Sequence, residues 1–216
     1  MNTLTLNCDL GESFGAWQMG NDSAVMPLID AANIACGFHA GDPSVIRETL
    51  QIAKTCRVEI GAHVSYPDLQ GFGRRSMQIR GQALIDTLHY QMAALEGMAR
   101  IHRLKMTYVK PHGALYNDMA KDIALRADVM RAVAAWHRPL DLVVLATVDD
   151  SNTVDLAVQY GLKLRFEAFA DRAYGSNGLL LPRDQPGAVL NRDKAVAQAL
   201  AIARGQLTST RGKVLQ

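Results

Sequence analysis

The stretch Ala-Asn-Ile-Ala-Cys-Gly-Phe-His-Ala-Gly-Asp-Pro, residues 32–43, decides how this chain folds. Ala32 to Cys36 is a short apolar run of the length a buried strand needs. Gly37 breaks the run, His39 follows, Gly41 breaks it again, and Asp42-Pro43 opens a helix. An Asp oxygen can cap free backbone N–H groups, and proline suits the first helical position. His39 is thereby placed in a tight strand-to-helix loop. In parallel α/β folds that loop lies outside the carboxyl end of the strand, where ligands bind.

The same phrase recurs on both sides. Thr3 to Cys8 alternates Leu4 and Leu6 with polar residues and reads as a first strand, ending in a glycine-broken loop with Asp9 and Glu12. Val58 to Ala62 reads as a third strand and delivers His63; Thr107 to Val109 runs into Lys110-Pro111-His112-Gly113. Leu140 to Ala146 and Leu162 to Phe166 complete six strands, the last leading to Glu167, Asp171 and Arg172. Helical spacing occupies the intervals: a short piece near Val25–Ile29, then a helix from the Asp42 cap to about Thr55 with Val45, Ile46, Thr49, Ile52 and Ala53 on one face. A long one follows over Ile79–His102, with others over Ile123–Trp136, Thr153–Tyr160 and Lys194–Ala203. Lys213-Val214-Leu215 reads as the start of a further strand. Strands alternating with helices predict a parallel sheet. Six such units suit an α/β, TIM-like (β/α) barrel in one domain over residues 1–216, and the glycine-rich fingerprint of a dinucleotide-binding open sheet is missing.

Composition narrows the function. A net charge of +2 offers no basic face, which argues against nucleic acid. Three cysteines, Cys8, Cys36 and Cys56, form no C-x-x-C pair and fit a reducing, cytoplasmic compartment. No run approaches a membrane span, and no phosphate loop announces ATP binding.

The candidate site rests on coincidence of position. Asp9, His39, His63, Lys110 with His112, and Glu167 all fall at the ends of successive strands, so parallel strands bring them to one rim. Asp9 and Glu12 can supply a base and a ligand, or cap a turn. His39, between glycines, is hard to explain as packing, whereas His63 can also be a satisfied core histidine. Arg74 and Arg75 can clamp a carboxylate or form a solvated pair. Glu167, Asp171 and Arg172 read first as an ion-pair network and second as site residues. Cys36 reads as a small buried residue, and His89, His102 and His137 as packing or surface residues on helices. Asp9, His39 and His63 are of the types that hold a catalytic divalent metal, although no H-E-x-x-H or cysteine-pair signature is present.

At these same residues the chain resembles the LamB/YcsF family, the A components of bacterial ATP-dependent 5-oxoprolinase. The matching stretches are NCDLGESFG (7–15), ANIACGFHAGDP (32–43), IGAH (60–63), YPDLQGFGRR (66–75), VKPHGALYN (109–117), EAFADRAY (167–174) and LPR (181–183). The resemblance implies a barrel of the glycoside hydrolase/deacetylase type that opens 5-oxo-L-proline to L-glutamate, coupled to cleavage of ATP to ADP and phosphate. It implies partner subunits B and C, which accounts for ATP use without a nucleotide motif here, and leaves a homo-oligomer and a divalent metal open. It implies catalytic roles for Asp9, Glu12, His39, His63, Lys110 and His112, with Asp9 and His39 for base work. Substrate binding falls to Arg74, Arg75, Glu167, Asp171 and Arg172. Val64 and Cys56 stand where related chains commonly have Pro and Gly, and the family continues into a final strand with a Cys-Val-His-Gly-Asp motif. This chain stops at Gln216 as that strand would begin, so a barrel that is seven-stranded or incomplete is expected. Two readings compete on the same residues: a stand-alone metal-dependent deacetylase or amidohydrolase, and a non-catalytic protein of the complex that binds a small carboxylate.

Overall fold

A computed structural model describes residues 4–147, 149–210, 212 and 214–215. Thr3 and Lys213, named in the strand expectations above, lie outside the described residues. Two compact units are present: a larger one of residues 5–144 and 155–165, and a smaller one of 1–4, 145–154 and 166–216.

The larger unit carries the sheet. The strands are β1 (Asn7–Leu10), β2 (Ala31–Ala35), β3 (Glu59–Val64), β4 (Met106–Pro111), β5 (Asp141–Leu145) and β6 (Lys163–Glu167), hydrogen-bonded in the order β1-β2-β3-β4-β5-β6, with Leu145, Phe166 and Glu167 at the ends of β5 and β6 falling in the smaller unit. Successive pairs from β1 to β5 are parallel. A doubly wound sheet reverses its order at a switch point, and this one does not. The chain therefore has the α/β, TIM-like winding expected. Helices follow the strands: α1 (Asp22–Val25), α2 (Pro43–Cys56), α3 (Gly81–Ile101), α4 (Gly113–Lys121), α5 (Ile123–Ala134) and α6 (Ser151–Gln159).

The predicted helix start at Asp42 is present in detail. Asp42 Oδ1 accepts from Ser44 N at 2.8 Å and Val45 N at 3.0 Å, and Pro43 opens α2. The buried face of α2 is Ile46, Thr49, Leu50 and Ala53, with Val45 and Ile52 half-buried. On α3, Leu84, Leu88, Met92, Leu95 and Ala99 are buried as the spacing requires. Each such large side chain contributes about 2 kcal/mol relative to exposure.

Two expectations need correction. The first strand begins at Asn7, and Leu4 and Leu6 are 54% and 56% exposed. Leu6 bonds Asp30 and Ala31 through its backbone, so its side chain gains no buried face. Residues 113–121 form α4, a helix absent from the elements expected from the sequence. Its first residue is a glycine and His112 before it makes no side-chain cap, so the usual start signals are missing.

The register sorts side chains onto two faces. Leu10, Ala32, Ile34, Ile60, Ala62, Val64 and Val109 share a face and pack into the main core. The opposite face carries Asn7, Asp9, Asn33, Gly61, His63, Tyr108 and Lys110. Gly61 pairs with Tyr108 across β3 and β4, and a Cβ at Gly61 would fall inside the Tyr108 ring.

The smaller unit contains α7 (Arg192–Ala203), and β7 (Leu207–Thr208) paired antiparallel with β8 (Val214–Leu215). Among the described residues no helix is long and apolar enough to cross a membrane.

Two outcomes test this account. Gly61→Ala should destabilise by about 1–3 kcal/mol through overpacking, read from urea unfolding. Asp42→Ala should lose about 1 kcal/mol at neutral pH. Hydrogen bonds from Gly15, Val45 and Ser44 hold the Asp42 carboxyl below 3.8, so its contribution is present above that value. The gap between the two proteins should close as pH falls through the lower folded value, by the linkage of proton binding to folding.

Candidate active site

The C-terminal ends of β1 to β4 and the loops after them bring six of the residues expected from the sequence into mutual contact. Asp9 lies in β1, His63 in β3 and Lys110 in β4, rather than after those strands. His39 stands in the loop after β2, Glu12 in the loop after β1, and His112 directly precedes α4.

Asp9 and Lys110 make the first layer. Lys110 Nζ donates to Asp9 Oδ1 at 2.9 Å and to Asn7 Oδ1 at 3.3 Å. Asn33 Nδ2 donates to the same two oxygens at 2.8 and 2.6 Å, and Tyr108 Oη donates to Asn33 Oδ1 at 2.7 Å. Asn7, Asn33 and Tyr108 are absent from the residues expected from sequence. The available signal is polar and small residues at period two along β1 to β4, opposite the apolar face.

Histidines make the second layer. The rings of His39 and His112 stack at 3.8 Å with planes 8° apart, and His63 stands edge-on to both. His63 Nδ1 lies 2.9 Å from the Lys110 carbonyl, and His112 Nε2 lies 2.9 Å from the Phe72 carbonyl. A carbonyl only accepts, so both of those nitrogens carry hydrogens. The other nitrogens, His63 Nε2 and His112 Nδ1, face each other at 2.9 Å. That contact is a hydrogen bond only when the pair holds one extra proton. Glu12 Oε1 sits 3.1 Å from His39 Nε2, 3.3 Å from His112 Nδ1 and 3.8 Å from His63 Nε2. His39 Nδ1 is buried with no hydrogen-bond partner among the described residues.

The electrostatics place the proton. Burial opposes charge on His63, but the Asp9 and Glu12 carboxylates outweigh it and raise the pKa above 6.5. Burial and the neighbouring His63 push His112 down to about 2. Burial also lowers His39 well below 6.5, with His63 adding to the effect. Where the pair takes up a proton, these directions favour His63 over His112. Burial would raise Asp9, yet His63 and Lys110 hold it well below 3.8, whereas burial prevails at Glu12 and raises it above 4.5.

The loop after β3 closes over this layer. Asp68 is buried and binds Gly71 N at 2.9 Å and the Arg75 guanidinium, which ties the loop to itself. Gln91 on α3 clamps Ser65 by accepting from its N–H and donating to its carbonyl, both at 2.9 Å. Gly73 has φ +64°, and a Cβ there would meet His112 Cδ2 at 2.8 Å and His39 Cβ at 2.9 Å. Only glycine lets the backbone lie this close to both rings.

The remaining expected residues are distributed as follows. Arg74 is exposed, with its guanidinium 4.9 Å from the centre of the Phe72 ring, and its charge acts on Glu12 and His39. Arg75 is engaged by Asp68. Glu167, Asp171 and Arg172 belong to the smaller unit, where Arg172 is buried and donates to the carbonyls of Ala188 and Leu181. The side chains that converge as metal-type ligands are Glu12, His39, His63 and His112, all within 4.8 Å of one another. This group differs from the Asp9–His39–His63 trio named from sequence: Asp9 is outside it, its Oδ1 engaged by Lys110 and Asn33 and its Oδ2 3.3 Å from His63 Nε2. Cys36 is buried, donates to the Ile34 carbonyl, and has its thiol pushed up to about 12 by burial. His89 bonds the Ala132 carbonyl at 2.7 Å as a packing residue, and His137 lies just beyond α5 rather than on it.

Comparison with known proteins gives a consistent result. The LamB/YcsF family profile matches residues 4–216. A Pseudomonas fluorescens protein named as the A component of 5-oxoprolinase is 54% identical over 100% of this chain and 87% of its own length. A Vibrio cholerae protein of the same name is 50% identical over 99% of this chain and 87% of its own. The crystal structure of a lactam utilization protein from Thermus thermophilus superposes with a TM-score of 0.90 at 37% identity, covering 99% of this chain and 86% of that one.

Separating Asp9 from its cation tests the first layer. Lys110 is buried while the Asp9 side chain is 34% exposed, so solvent screens part of the pair. Lys110→Met should destabilise by about 2 kcal/mol. A double-mutant cycle with Asp9→Asn should return a coupling of about 1 kcal/mol in chemical denaturation. Additive losses would show that the two groups do not interact.

Proposed function

The chain belongs to the LamB/YcsF family, and we propose that it is the A component of an ATP-dependent 5-oxoprolinase, which opens 5-oxo-L-proline to L-glutamate together with B and C components. One observation carries the reading. Asp9, Glu12, His39, His63, Lys110 and His112 form one hydrogen-bonded cluster at the strand ends, in a chain half identical to proteins of that name. A five-membered ring amide is a stable bond. Transfer of the ATP γ-phosphoryl group to its oxygen converts that oxygen into a leaving group, and water then adds to the ring carbon. Cleavage of the ring C–N bond expels the amine and leaves an acyl phosphate, which a second water hydrolyses to glutamate and phosphate, with ADP as the other product.

In this reading Asp9 is held as a carboxylate by Lys110 and His63 and is open to solvent over a third of its side chain. It orients the attacking water by accepting its hydrogen bond. Lys110, fixed by Asp9 and Asn7, steadies the negative charge that develops as water adds. His39 holds Glu12 through Nε2, and His63 and His112 orient the remaining donors. Arg74, exposed beside the cluster, takes the substrate carboxylate. The protein acts in the cytoplasm, and its nucleotide is handled jointly with its partners.

The test is glutamate release from 5-oxo-L-proline by the chain with its B and C partners, omitting each component and ATP in turn. Activity should need every part. Asp9→Asn should lower kcat by about 10²-fold or more, and Arg74→Ala should raise KM about tenfold with kcat little changed. Amide or acyl hydrolysis by the chain alone, without ATP, would replace this reading with the stand-alone amidohydrolase that the converging His/Glu group also suits.

A further inference from the structure

We propose that Glu12 Oε1, His63 Nε2 and His112 Nδ1 form a binding site for one divalent transition-metal ion of the zinc or cobalt type. The inference stands on ring geometry and does not depend on the oxoprolinase reading.

Two backbone carbonyls set the site. The Lys110 carbonyl fixes the hydrogen of His63 on Nδ1, and the Phe72 carbonyl fixes that of His112 on Nε2. Neutral rings so fixed aim two bare lone pairs at each other across 2.9 Å, with Glu12 Oε1 beside both and Asp9 Oδ2 3.3 Å from His63 Nε2. That arrangement is repulsive unless a positive centre occupies it. A shared proton is one such centre; a metal ion is the other, and it can also engage the carboxylate. Outer hydrogen bonds from the far nitrogen of each ring to a carbonyl are the usual means by which proteins orient metal-bound imidazoles.

The separations fit. An ion with tetrahedral bonds of about 2.05 Å spaces its ligand atoms about 3.3 Å apart. The three edges here are 2.9, 3.3 and 3.8 Å. Two imidazoles and one carboxylate are a donor set suited to borderline divalent ions and leave positions open. His39 comes within the same radius but is excluded as a ligand. Its ring lies parallel to His112 at 3.8 Å, so the in-plane lone pairs of the two rings cannot meet at one ion. His39 instead holds Glu12 through Nε2 at 3.1 Å. Phe72, whose carbonyl fixes His112, has φ +54°, a left-handed conformation that a bulky residue adopts only under constraint.

The experiment uses the full chain, stripped with a chelator and then titrated with Zn²⁺ and separately with Co²⁺ by calorimetry, with bound metal counted after dialysis. One ion per chain is expected. Glu12→Gln, His63→Ala and His112→Ala should each weaken Zn²⁺ binding by more than about 100-fold, while His39→Gln, which removes only an outer hydrogen bond to Glu12, should cost about 10- to 100-fold. Nitrogen-15 spectra of the Zn²⁺-loaded parent keep the proposal falsifiable if a variant fails to fold. They should show coordination through Nε2 of His63 and Nδ1 of His112, opposite nitrogens in the two rings. Coordination through any other pair, no binding by the folded parent, or binding that survives all three ligand substitutions would overturn it. Since the readout is metal and not glutamate, loss of the oxoprolinase reading would leave this result standing, and the reverse holds.

Discussion

A parallel sheet with one polar face confronts a single constraint: each polar group it buries must find a partner, because an unpaired one costs about 1–3 kcal/mol. In the larger unit the constraint is met by a chain of donors and acceptors across four strands. Tyr108 donates to Asn33, Asn33 to Asp9, and Lys110 to Asp9 and Asn7. The order of the chain is set by register, since Asp9 pairs with Asn33, Asn33 with Gly61 and Gly61 with Tyr108. A shift of one residue in any strand would turn this row outward into the helices. Gly61 belongs to the same logic: it is the one member of the row without a side chain, and the Tyr108 ring fills the space.

Much of this is legible in the sequence, and the reasons differ by residue. His39 and His112 are recoverable because each follows an apolar run and is bounded by glycine or proline, and His63 because it closes the apolar run Val58–Ala62, so strand ends and loops announce themselves. Parallel strands then bring those ends together without further information. Asn7, Asn33 and Tyr108 are not legible. A polar residue inside a short strand carries no mark of which face it takes, and Ala32–Cys36 reads as an apolar run although Asn33 interrupts it. The helix α4 is hidden for a similar reason, having neither a capping side chain nor an acidic first turn. Its N-terminus is set by tertiary contact: Ala114 N donates to the Gly73 carbonyl at 2.8 Å, a bond between segments distant in sequence.

The arginines show where residue type misleads. Arg74 and Arg75 are adjacent and look equivalent, yet Arg75 is spent on Asp68 inside its own loop while Arg74 faces the cluster electrostatically. Asp68 is what separates them. It is buried, it binds Gly71 and Arg75 together, and Gly73 donates to its carbonyl at 2.8 Å. Nothing in an Asp two residues after a tyrosine signals that role. Arg172 makes the same point in the smaller unit, where its guanidinium satisfies two carbonyls of the loop that follows.

The rigidity of the loop that Asp68 ties together bears on the chemistry. The hydrogen on His112 is assigned by the Phe72 carbonyl, and Phe72 lies between Asp68 and Gly73 in that segment. The hydrogen on His63 is assigned by the Lys110 carbonyl, and the Lys110 side chain is anchored on Asp9. Both tautomers are thus fixed by backbone whose position is over-determined by separate hydrogen bonds. Gly73 completes the arrangement, since a side chain there would push the backbone away from His112 and His39 and release the carbonyl contact beside it. The facing of the two bare imidazole nitrogens is therefore a consequence of how the loops are held, and a change at Asp68 or Gly73 acts on the histidines without touching either ring's nitrogen.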